Sequence, residues 1–220
     1  MKLYLDSANI EAIRKYNDIF FLDGVTTNPS IICKEERDFE TIIKEICEML
    51  SPEQTLFVQV LASEVDDIIK EAKWILKIRE NTVPKIPVTE NGLKAIKLLH
   101  EEGIETLATA IHDSMQGLMA ARNGAAYLAP YYNRMSKYSD SFSEISLLQE
   151  TIENYGLNAI IVGAGFHELD EIKDCISTGV SALTLNPKMM ELMYKHVGSD
   201  LAVSQFEDAW QNQYGRKTLI

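Results

Sequence analysis

The stretch Asn81-Thr82-Val83-Pro84-Lys85-Ile86-Pro87-Val88-Thr89 is a short, mostly apolar run that ends on a threonine. Its composition is typical of a buried β-strand, with one charged residue, Lys85, inside it. Thr89 is a residue type that favours the start of a helix, and the apolar residues after it recur at helical spacing, at Leu93, Ile96 and Leu99. The stretch therefore predicts one β/α unit, a strand followed directly by a helix.

The same unit recurs along the whole chain. Strands are predicted at residues 2–5, 24–27, 55–60, around Lys85, and at 105–109, 127–130, 158–162 and 182–185. Amphipathic helices are predicted between them, the polar segment 131–139 is predicted to be the longest loop, and a further helix at about 200–214 follows the eighth unit. Eight units without a Pro/Gly/Ser-rich linker predict an α/β fold in which residues 1–220 form a single (β/α)8 TIM barrel domain with an extra C-terminal helix.

An open, doubly wound sheet is the competing architecture for alternating strands and helices. Such sheets usually carry a glycine fingerprint after the first strand, and this chain has Asp6-Ser7-Ala8-Asn9 there. The barrel is therefore the better prediction. Pro84 is unusual in a paired strand, because proline removes a ladder donor. We expect a bulge or an early strand end near Lys85 to accommodate it.

The composition restricts the classes of partner. A net charge of −12 over 220 residues favours neither nucleic acid nor an anionic membrane, so small molecules or copies of the chain are the expected partners. Residues 1–6 lack the apolar core of a signal peptide and no long apolar run occurs, so we expect a cytoplasmic location. The three cysteines, Cys33, Cys47 and Cys175, fit neither a disulfide framework nor a zinc site, and we expect them to be buried.

Lys85 is a charged residue in a run that should be buried. A buried lysine either turns its ammonium group to water, pairs with a carboxylate, or gives up its proton. In the last case the neutral amine is a nucleophile that can form a Schiff base with a carbonyl compound. From this stretch alone, a strand-end lysine that reaches solvent is the more ordinary explanation.

Polar residues collect at the carboxyl ends of the predicted strands, where (β/α)8 barrels place their active sites. One stands at or just after each of the first six strands: Asp6, Asn28, Gln59, Lys85, Thr109 and Tyr131. Each has an ordinary explanation when taken alone, for example Asp6 as a helix cap. Together they predict a polar site at the barrel mouth, because buried polar groups must satisfy one another or bind a ligand.

Several segments also resemble a known family, the small transaldolases and fructose-6-phosphate aldolases among the class I aldolases. They are residues 3–6 (LYLD), 24–31 (GVTTNPSI), 85–89 (KIPVT), 129–134 (APYYNR) and 210–211 (WQ), so the resemblance covers essentially the whole chain. It implies a (β/α)8 barrel, a Schiff base on Lys85, no metal or other cofactor, and a ketose substrate that is usually phosphorylated. It also implies a homo-oligomer, often of ten subunits, in which the C-terminal helix packs on a neighbouring subunit.

The resemblance assigns catalytic roles to residues at the mouth. Lys85 would form the Schiff base, and Asp6 would handle the proton of the hydroxyl at which the bond is cleaved. Gln59, Thr109 and Tyr131 would position a water for proton transfer at the enamine carbon. The family's larger transaldolases commonly carry glutamate and phenylalanine at the positions of Gln59 and Tyr131, so this chain looks like the aldolase subgroup.

The substrate-binding residues implied by the resemblance are less complete. Thr26 and Asn28 match the family, with Asn28 holding a substrate hydroxyl, and Arg134 matches an arginine that grips the substrate phosphate. Where the family has Ala-Ser-Phe-Lys or Ala-Ser-Phe-Arg, this chain has Ala164-Gly165-Phe166-His167. Backbone amides near Gly165 could still hold an anion, and His167 either helps when protonated or is simply exposed. We expect weaker phosphate recognition, with unphosphorylated ketones such as dihydroxyacetone among the substrates.

His112 and Asp113 are a second departure from the family. Smaller residues are expected directly after the fifth strand, where this chain has these two polar ones. They either alter the entrance to the site or serve only to cap the next helix. The sequence leaves both explanations open.

Three functions remain open at this point. The first is a metal-independent aldolase that makes dihydroxyacetone-type enamines on Lys85. The second is a transaldolase that passes the same three-carbon unit between sugar phosphates. The third is a sugar-phosphate-binding oligomer with weakened catalysis, suggested by Gly165 and His167.

Overall fold

Eight short strands close into a barrel in the computed structural model, which describes residues 1–220. All neighbouring strands are parallel and follow the order of the sequence, with the last strand paired to the first. The strands are β1 (Lys2–Asp6), β2 (Gly24–Thr26), β3 (Thr55–Gln59), β4 (Thr82–Pro87), β5 (Leu107–Ile111), β6 (Tyr127–Pro130), β7 (Ile160–Gly163) and β8 (Ala182–Leu185). The predicted (β/α)8 barrel is confirmed.

Eleven helices accompany the strands. They are α1 (Ile10–Ile19), α2 (Pro29–Cys33), α3 (Phe39–Met49), α4 (Val65–Ile75), α5 (Glu90–Glu101), α6 (Ser114–Arg122), α7 (Tyr132–Met135), α8 (Ser141–Asn154), α9 (Leu169–Ser177), α10 (Pro187–Leu192) and α11 (Val197–Tyr214). The prediction that segment 131–139 is only a loop is wrong, because α7 lies within it. A helix of four residues is too short to show an apolar stripe in the sequence. The predicted C-terminal helix is present as α11.

The helices pack on the barrel through their apolar stripes. Ile42, Ile43 and Ile46 of α3 are buried, and Ile96 and Leu99 of α5 are completely enclosed. They belong to a core cluster of 40 buried residues. Fully burying one such side chain contributes roughly 1.5–3 kcal/mol, so this core fixes the strand ends that carry the candidate site.

The inside of the barrel has an apolar floor and a polar layer above it. The floor is a separate cluster of eight buried residues: Tyr4, Phe57, Val83, Leu107, Ala129, Val162, Ala164 and Ala182. Because side chains alternate between the two faces of a strand, the residue two positions after a floor residue also points into the barrel. Those second residues include Asp6, Gln59, Lys85, Thr109, Tyr131 and Thr184. The polar groups at the mouth are thus set in place by strand periodicity.

The irregularity in the barrel lies in β5. β4 keeps an unshifted register with β3 from Thr82 to Lys85, so the bulge or early strand end expected near Lys85 is wrong. Pro84 costs one ladder donor, and no extra residue is inserted there. In β5 the register with β6 shifts between Ala108 and Ile111, and Ala110 between them has a φ of 59°.

The cysteines are less uniform than expected. Cys175 is buried, Cys47 is half-buried and Cys33 is exposed, so the expectation of three buried cysteines is wrong. Cys33 lies in α2, a short helix without any buried residue, which explains its exposure. No helix combines the length and apolar composition needed to cross a membrane. No group of three or more His, Cys, Asp or Glu side chains is placed to hold a metal ion.

Candidate active site

Lys85 is enclosed in the barrel mouth, with only 4% of the residue exposed. Its Nζ donates a hydrogen bond to the backbone carbonyl of Thr27, at 3.2 Å. No carboxylate lies within ion-pair distance of it. A lysine that snorkels to solvent is therefore the wrong explanation for this residue. An amine held by one neutral carbonyl, inside a protein and without a counter-ion in contact, is suited to attack a bound carbonyl carbon.

Asp6 lies at the end of β1 and accepts a hydrogen bond from Thr26, which in turn contacts Thr184. The Thr26 hydroxyl donates to Asp6 Oδ1 at 2.7 Å, and the Thr26 and Thr184 hydroxyls are 2.6 Å apart. Removal from water raises the pKa of the Asp6 carboxyl above its ordinary value, while the charge of Lys85 and the hydrogen bond from Thr26 oppose that shift. A carboxyl with a raised pKa, within the field of Lys85, can accept and return a proton during a reaction.

Thr109 and Tyr131 form a hydroxyl pair on the next part of the mouth. Thr109 Oγ1 and the Tyr131 hydroxyl are 3.0 Å apart, with Thr109 completely buried and Tyr131 partly exposed. Two hydroxyls at this separation can share a water or a substrate hydroxyl. The Arg134 guanidinium lies over the Tyr131 ring, with its Cζ 5.0 Å from the ring centroid.

Gln59 is the strand neighbour of Lys85. The two residues are register partners on β3 and β4, and adjacent strands are about 4.8 Å apart, so both side chains belong to the same layer. Gln59 is partly exposed and also lines an open cavity of about 420 Å³ beside the mouth, together with Leu61, Pro87 and Asn91. Its amide can therefore contact both a ligand on Lys85 and water that enters from this cavity.

Asn28 has a structural role that leaves part of its side chain available. Its Oδ1 accepts from the Ile31 backbone N–H at 3.0 Å and caps α2. Its amide nitrogen makes no hydrogen bond within the chain and can donate to a ligand. The helix-capping explanation and the predicted substrate contact are thus compatible for this residue.

The loop between β7 and α9 carries the part of the predicted phosphate-binding site in which this chain departs from the family. Gly165 has a φ of 73°, and a Cβ there would lie 3.6 Å from Tyr131, so this loop touches the hydroxyl pair. The amides of Gly165 and Phe166 make no hydrogen bond within the chain. The next two amides, of His167 and Glu168, both donate to the Glu171 carboxylate, at 2.6 and 3.2 Å.

The Glu171 carboxylate is thus a negative charge of the protein itself, placed where the substrate phosphate is predicted to bind. Its other oxygen accepts from the Asn133 side chain at 2.6 Å, directly before Arg134 in the sequence. Arg134 is exposed and has no ion-pair partner. The His167 ring is exposed and makes no hydrogen bond. The structure therefore places Arg134 and Gly165 beside Tyr131.

Sequence reasoning did not identify three participants: the Thr27 carbonyl, Thr184 and Glu171. A signal existed for Thr184, because it stands two positions after Ala182, which faces the barrel interior. The Thr27 carbonyl is a backbone group, which no residue pattern marks. Glu171 resembles any exposed helix glutamate in the sequence, and only the loop conformation reveals its contacts.

Comparison with known proteins gives a coherent result. A family model described as Transaldolase/Fructose-6-phosphate aldolase matches residues 3–217. A "Probable transaldolase" of Streptococcus equi subsp. zooepidemicus is 39% identical over 211 residues, which is 96% of this chain and 98% of that protein. "Probable transaldolase 2" of Listeria monocytogenes is 36% identical over 212 residues, 96% of each chain.

A solved structure shares the fold at low sequence identity. Thiamine phosphate pyrophosphorylase from Pyrococcus furiosus matches with a TM-score of 0.58 at 15% identity, over 84% of this chain and 85% of that one. At this identity the likeness concerns the fold alone. The family match and the sequence relatives agree with the resemblance seen in the motifs, and the chain belongs to the transaldolase/fructose-6-phosphate aldolase family.

Proposed function

We propose that this protein is a class I aldolase that forms a Schiff base between Lys85 and a ketose and then breaks or forms the adjacent carbon–carbon bond. Its family makes it an enzyme of the aldolase or transaldolase type. The observation that carries the proposal is the enclosure of Lys85, 4% exposed, in the same barrel layer as Asp6, Gln59, Thr109 and Tyr131.

Cleavage begins with the amine of Lys85. The neutral amine adds to the ketone carbon, and loss of one water leaves an iminium ion. Asp6 accepts the proton of the hydroxyl on the far side of the bond that breaks. The electron pair of that bond moves into the iminium, an aldehyde is released, and a three-carbon enamine remains on Lys85.

The enamine must gain a proton before dihydroxyacetone can leave. A water held by the Gln59 amide and by the hydroxyls of Thr109 and Tyr131 supplies it to the enamine carbon, and the proton that Asp6 took at cleavage returns to that water, so both groups regain their starting states. Addition of a second water to the resulting iminium then frees the ketone and restores the amine of Lys85. The 3.0 Å separation of the two hydroxyls supports this role.

Tyr131 also supports aldol cleavage over transfer. A transaldolase must keep its enamine unprotonated until a second aldehyde binds, so a proton donor at this place works against transfer. The phenol hydroxyl, beside Thr109, is placed to hold the water that acts as this donor. The first proposal is therefore release of a free dihydroxyacetone-type product.

Transaldolase activity is the second candidate. The observation in its favour is that the relatives from Streptococcus equi and Listeria monocytogenes carry that name at 39% and 36% identity. It needs the same Schiff base on Lys85 and the same use of Asp6. The two candidates differ only in the fate of the enamine.

The substrate is expected to be less dependent on its phosphate than is usual for the family. The family acts on sugar phosphates. Arg134 and the free amides of Gly165 and Phe166 are available to bind a phosphate, whereas the Glu171 carboxylate next to them repels it. Fructose 6-phosphate and unphosphorylated donors such as dihydroxyacetone are both proposed substrates, with aldehydes as acceptors.

Borohydride trapping tests the Schiff base. Wild type incubated with fructose 6-phosphate or dihydroxyacetone should give a reduced covalent adduct on Lys85, found by mass spectrometry of peptides, and Lys85→Met should give none. Lys94→Met, which changes an exposed lysine on α5, is the matched control. A wild type without any adduct would refute both enzyme candidates. Ligand binding by calorimetry without turnover would instead support a weakened sugar-phosphate-binding protein.

The fate of the enamine separates the two activities. With fructose 6-phosphate as donor, free dihydroxyacetone and transfer to erythrose 4-phosphate are measured in the same reaction. Release that exceeds transfer supports the aldolase, and dominant transfer supports the transaldolase. Lys85→Met serves as the blank for both measurements.

The C-terminal helix is proposed to pack on another copy of this chain. α11 has no buried residue, and it exposes Leu201 by 59%, Val203 by 53% and Phe206 by 71%. Apolar patches of this kind usually mark an interface. Sedimentation velocity should show a homo-oligomer that Phe206→Glu weakens and that the neighbouring Glu207→Gln does not. The subunit count, including a decamer, and the cytoplasmic location stay predictions.

A further inference from the structure

Ala110 is held in a conformation that residues with a side chain rarely adopt. Its φ is 59°, in the left-handed region that normally favours glycine. It lies in a β-bulge, because Ala108 pairs with Leu128 and Ile111 with Pro130, so Thr109 and Ala110 together oppose Ala129 alone. Bulges next to active sites re-aim side chains, and the residue before Ala110 is Thr109, which contacts Tyr131.

His112 holds this bulge from the side of the mouth. Its Nδ1 lies 2.8 Å from the Ala110 carbonyl oxygen. A carbonyl only accepts hydrogen bonds, so Nδ1 is the protonated ring nitrogen in this contact. The His112 backbone N–H donates to Gln116 Oε1 at 2.8 Å. The residue is therefore tied at its backbone and at its ring.

The His112 ring also contacts the tyrosine of the hydroxyl pair. Its edge meets the Tyr131 ring at a centroid distance of 5.9 Å, and it meets Tyr138 at 6.2 Å on the other side. Asp113, the next residue, caps α6 by accepting from the Gln116 backbone N–H at 2.8 Å. Capping is thus done by Asp113, and it does not explain the position of His112.

We infer that His112 is a positioning residue for proton transfer: it stabilises the bulge at Ala110 that aims Thr109, and it packs against the ring of Tyr131. The inference rests on the proposed function, in which these two hydroxyls hold the water that protonates the enamine. His112 itself touches neither the enamine nor Lys85. This role decides between the two explanations that the sequence left open for His112 and Asp113: His112 shapes the site, and Asp113 caps α6.

Two substitutions that both remove the ring separate the hydrogen bond from packing. His112→Asn keeps an amide donor near the place of Nδ1, and His112→Leu is close to histidine in volume but has no donor. Ala110→Gly in the His112→Leu background gives a third variant, because glycine adopts a φ near 60° without strain. Thermal unfolding of all variants reports whether the barrel remains folded.

The readout isolates the proton step. Exchange of deuterium from D2O into the carbon-bound positions of dihydroxyacetone needs the enamine and its proton donor, while borohydride trapping needs only the Schiff base on Lys85. For His112→Leu we expect exchange to fall about 10- to 100-fold, the scale of a misplaced catalytic group, with adduct formation almost unchanged. His112→Asn should retain most of the exchange, and Ala110→Gly should restore most of what His112→Leu loses.

Contrary results have distinct meanings. Wild-type exchange in His112→Leu, equal losses in His112→Asn and His112→Leu, or no recovery with Ala110→Gly would overturn the positioning role. A loss of adduct and of exchange together in His112→Leu would likewise overturn it, as a general structural defect. An absent adduct in wild type would refute the proposed function itself, and the role with it.

Discussion

The two sides of the barrel mouth hold their polar groups in different ways. The reaction side comprises Asp6, Gln59, Lys85, Thr109 and Tyr131. There, Asp6, Lys85 and Thr109 each make a hydrogen bond to another strand or strand end inside the barrel. The anion side comprises Arg134, Gly165, His167 and Glu171. Its members lie on a short helix, a loop and the start of α9, and two of the four loop amides, those of His167 and Glu168, donate to Glu171.

The difference indicates which property each side controls. Groups on the reaction side sit one layer above an apolar floor, where a low dielectric strengthens electrostatic interactions and fixed geometry favours catalysis. On the anion side Arg134 and His167 are exposed and Glu171 is half-buried, so salt weakens the interactions of their charges beyond about 8–10 Å. This difference supports the proposal that the barrel itself sets the reaction type, whereas the loop after β7 sets the preference for phosphate.

Asp6→Asn should break the reaction side most strongly among the substitutions that keep Lys85. Loss of a general base typically costs about 10²- to 10⁴-fold in rate, so cleavage of fructose 6-phosphate should fall by that order. The Schiff base does not need Asp6, and borohydride with dihydroxyacetone should still label Lys85. Stopped assays of aldehyde release, paired with peptide mass spectrometry, check both expectations. Loss of labelling together with cleavage would show that Asp6 is needed before bond breaking.

The raised pKa of Asp6 adds a pH dependence to this prediction. Asp6 is a base only when ionised, so wild-type kcat/KM for cleavage should fall as the pH drops through that pKa, above the usual value of about 4. In Asp6→Asn this acid limb should be absent. A limb that persists in the variant would belong to another group.

Stability should respond to the same shift. The folded chain binds the Asp6 proton more tightly than the unfolded chain does, so this contribution to the free energy of unfolding is present at low pH and is lost as the pH rises through the folded-state pKa. Asp6→Asn, which does not titrate, should therefore gain stability relative to wild type as the pH rises from about 4, the ordinary pKa of an aspartate, through the folded-state pKa of Asp6. Urea unfolding of both proteins at the two ends of this range measures the difference.

Tyr131→Phe tests the proton donor with a smaller expected effect. Removing one hydroxyl that holds a water should slow dihydroxyacetone release by about 10- to 100-fold, less than the loss of a whole proton-transfer group, because Gln59 and Thr109 still hold the water. The longer-lived enamine should then react more often with erythrose 4-phosphate, so the ratio of transfer to release should rise. Tyr138→Phe, at a residue 79% exposed, is the control. An unchanged ratio would remove Tyr131 from the proton step.

The reaction side was largely predictable because its residues follow the strand period. Lys85 stands two positions after Val83 and Gln59 two after Phe57, so locating the strands also located these side chains. The bulge was not predictable, since Ala110 adopts a positive φ without the glycine that usually marks one. The contact of its carbonyl with the ring of His112, two residues further along the chain, is likewise marked by no sequence pattern.

For the anion side, the sequence predicted only which phosphate-binding groups are missing. Gly165 and His167 showed that a hydroxyl and a firm positive charge are missing from the loop after β7. The contact between Glu171 and the amides of His167 and Glu168 depends on how this loop turns into α9, and the sequence does not specify that. α7, which carries Arg134, was missed for a related reason, because its four residues are too few to form a pattern.

Glu171→Gln should change substrate preference by a modest amount and leave the chemistry intact. The amide can still accept from the loop amides, while the negative charge near Arg134 disappears. One unit charge several ångströms from a phosphate contributes about 0.5–2 kcal/mol at intermediate dielectric constants, so the KM for fructose 6-phosphate should fall about 2- to 30-fold. The KM for dihydroxyacetone should not change, because that donor carries no phosphate.

Asp174→Asn, an exposed residue one turn further along α9, removes the same net charge away from the loop amides and should have little effect. Since salt screens exposed charges, the gain should shrink at high ionic strength. Equal gains for both variants would attribute the effect to net charge, and an equal gain with dihydroxyacetone would place Glu171 on the reaction side of the mouth.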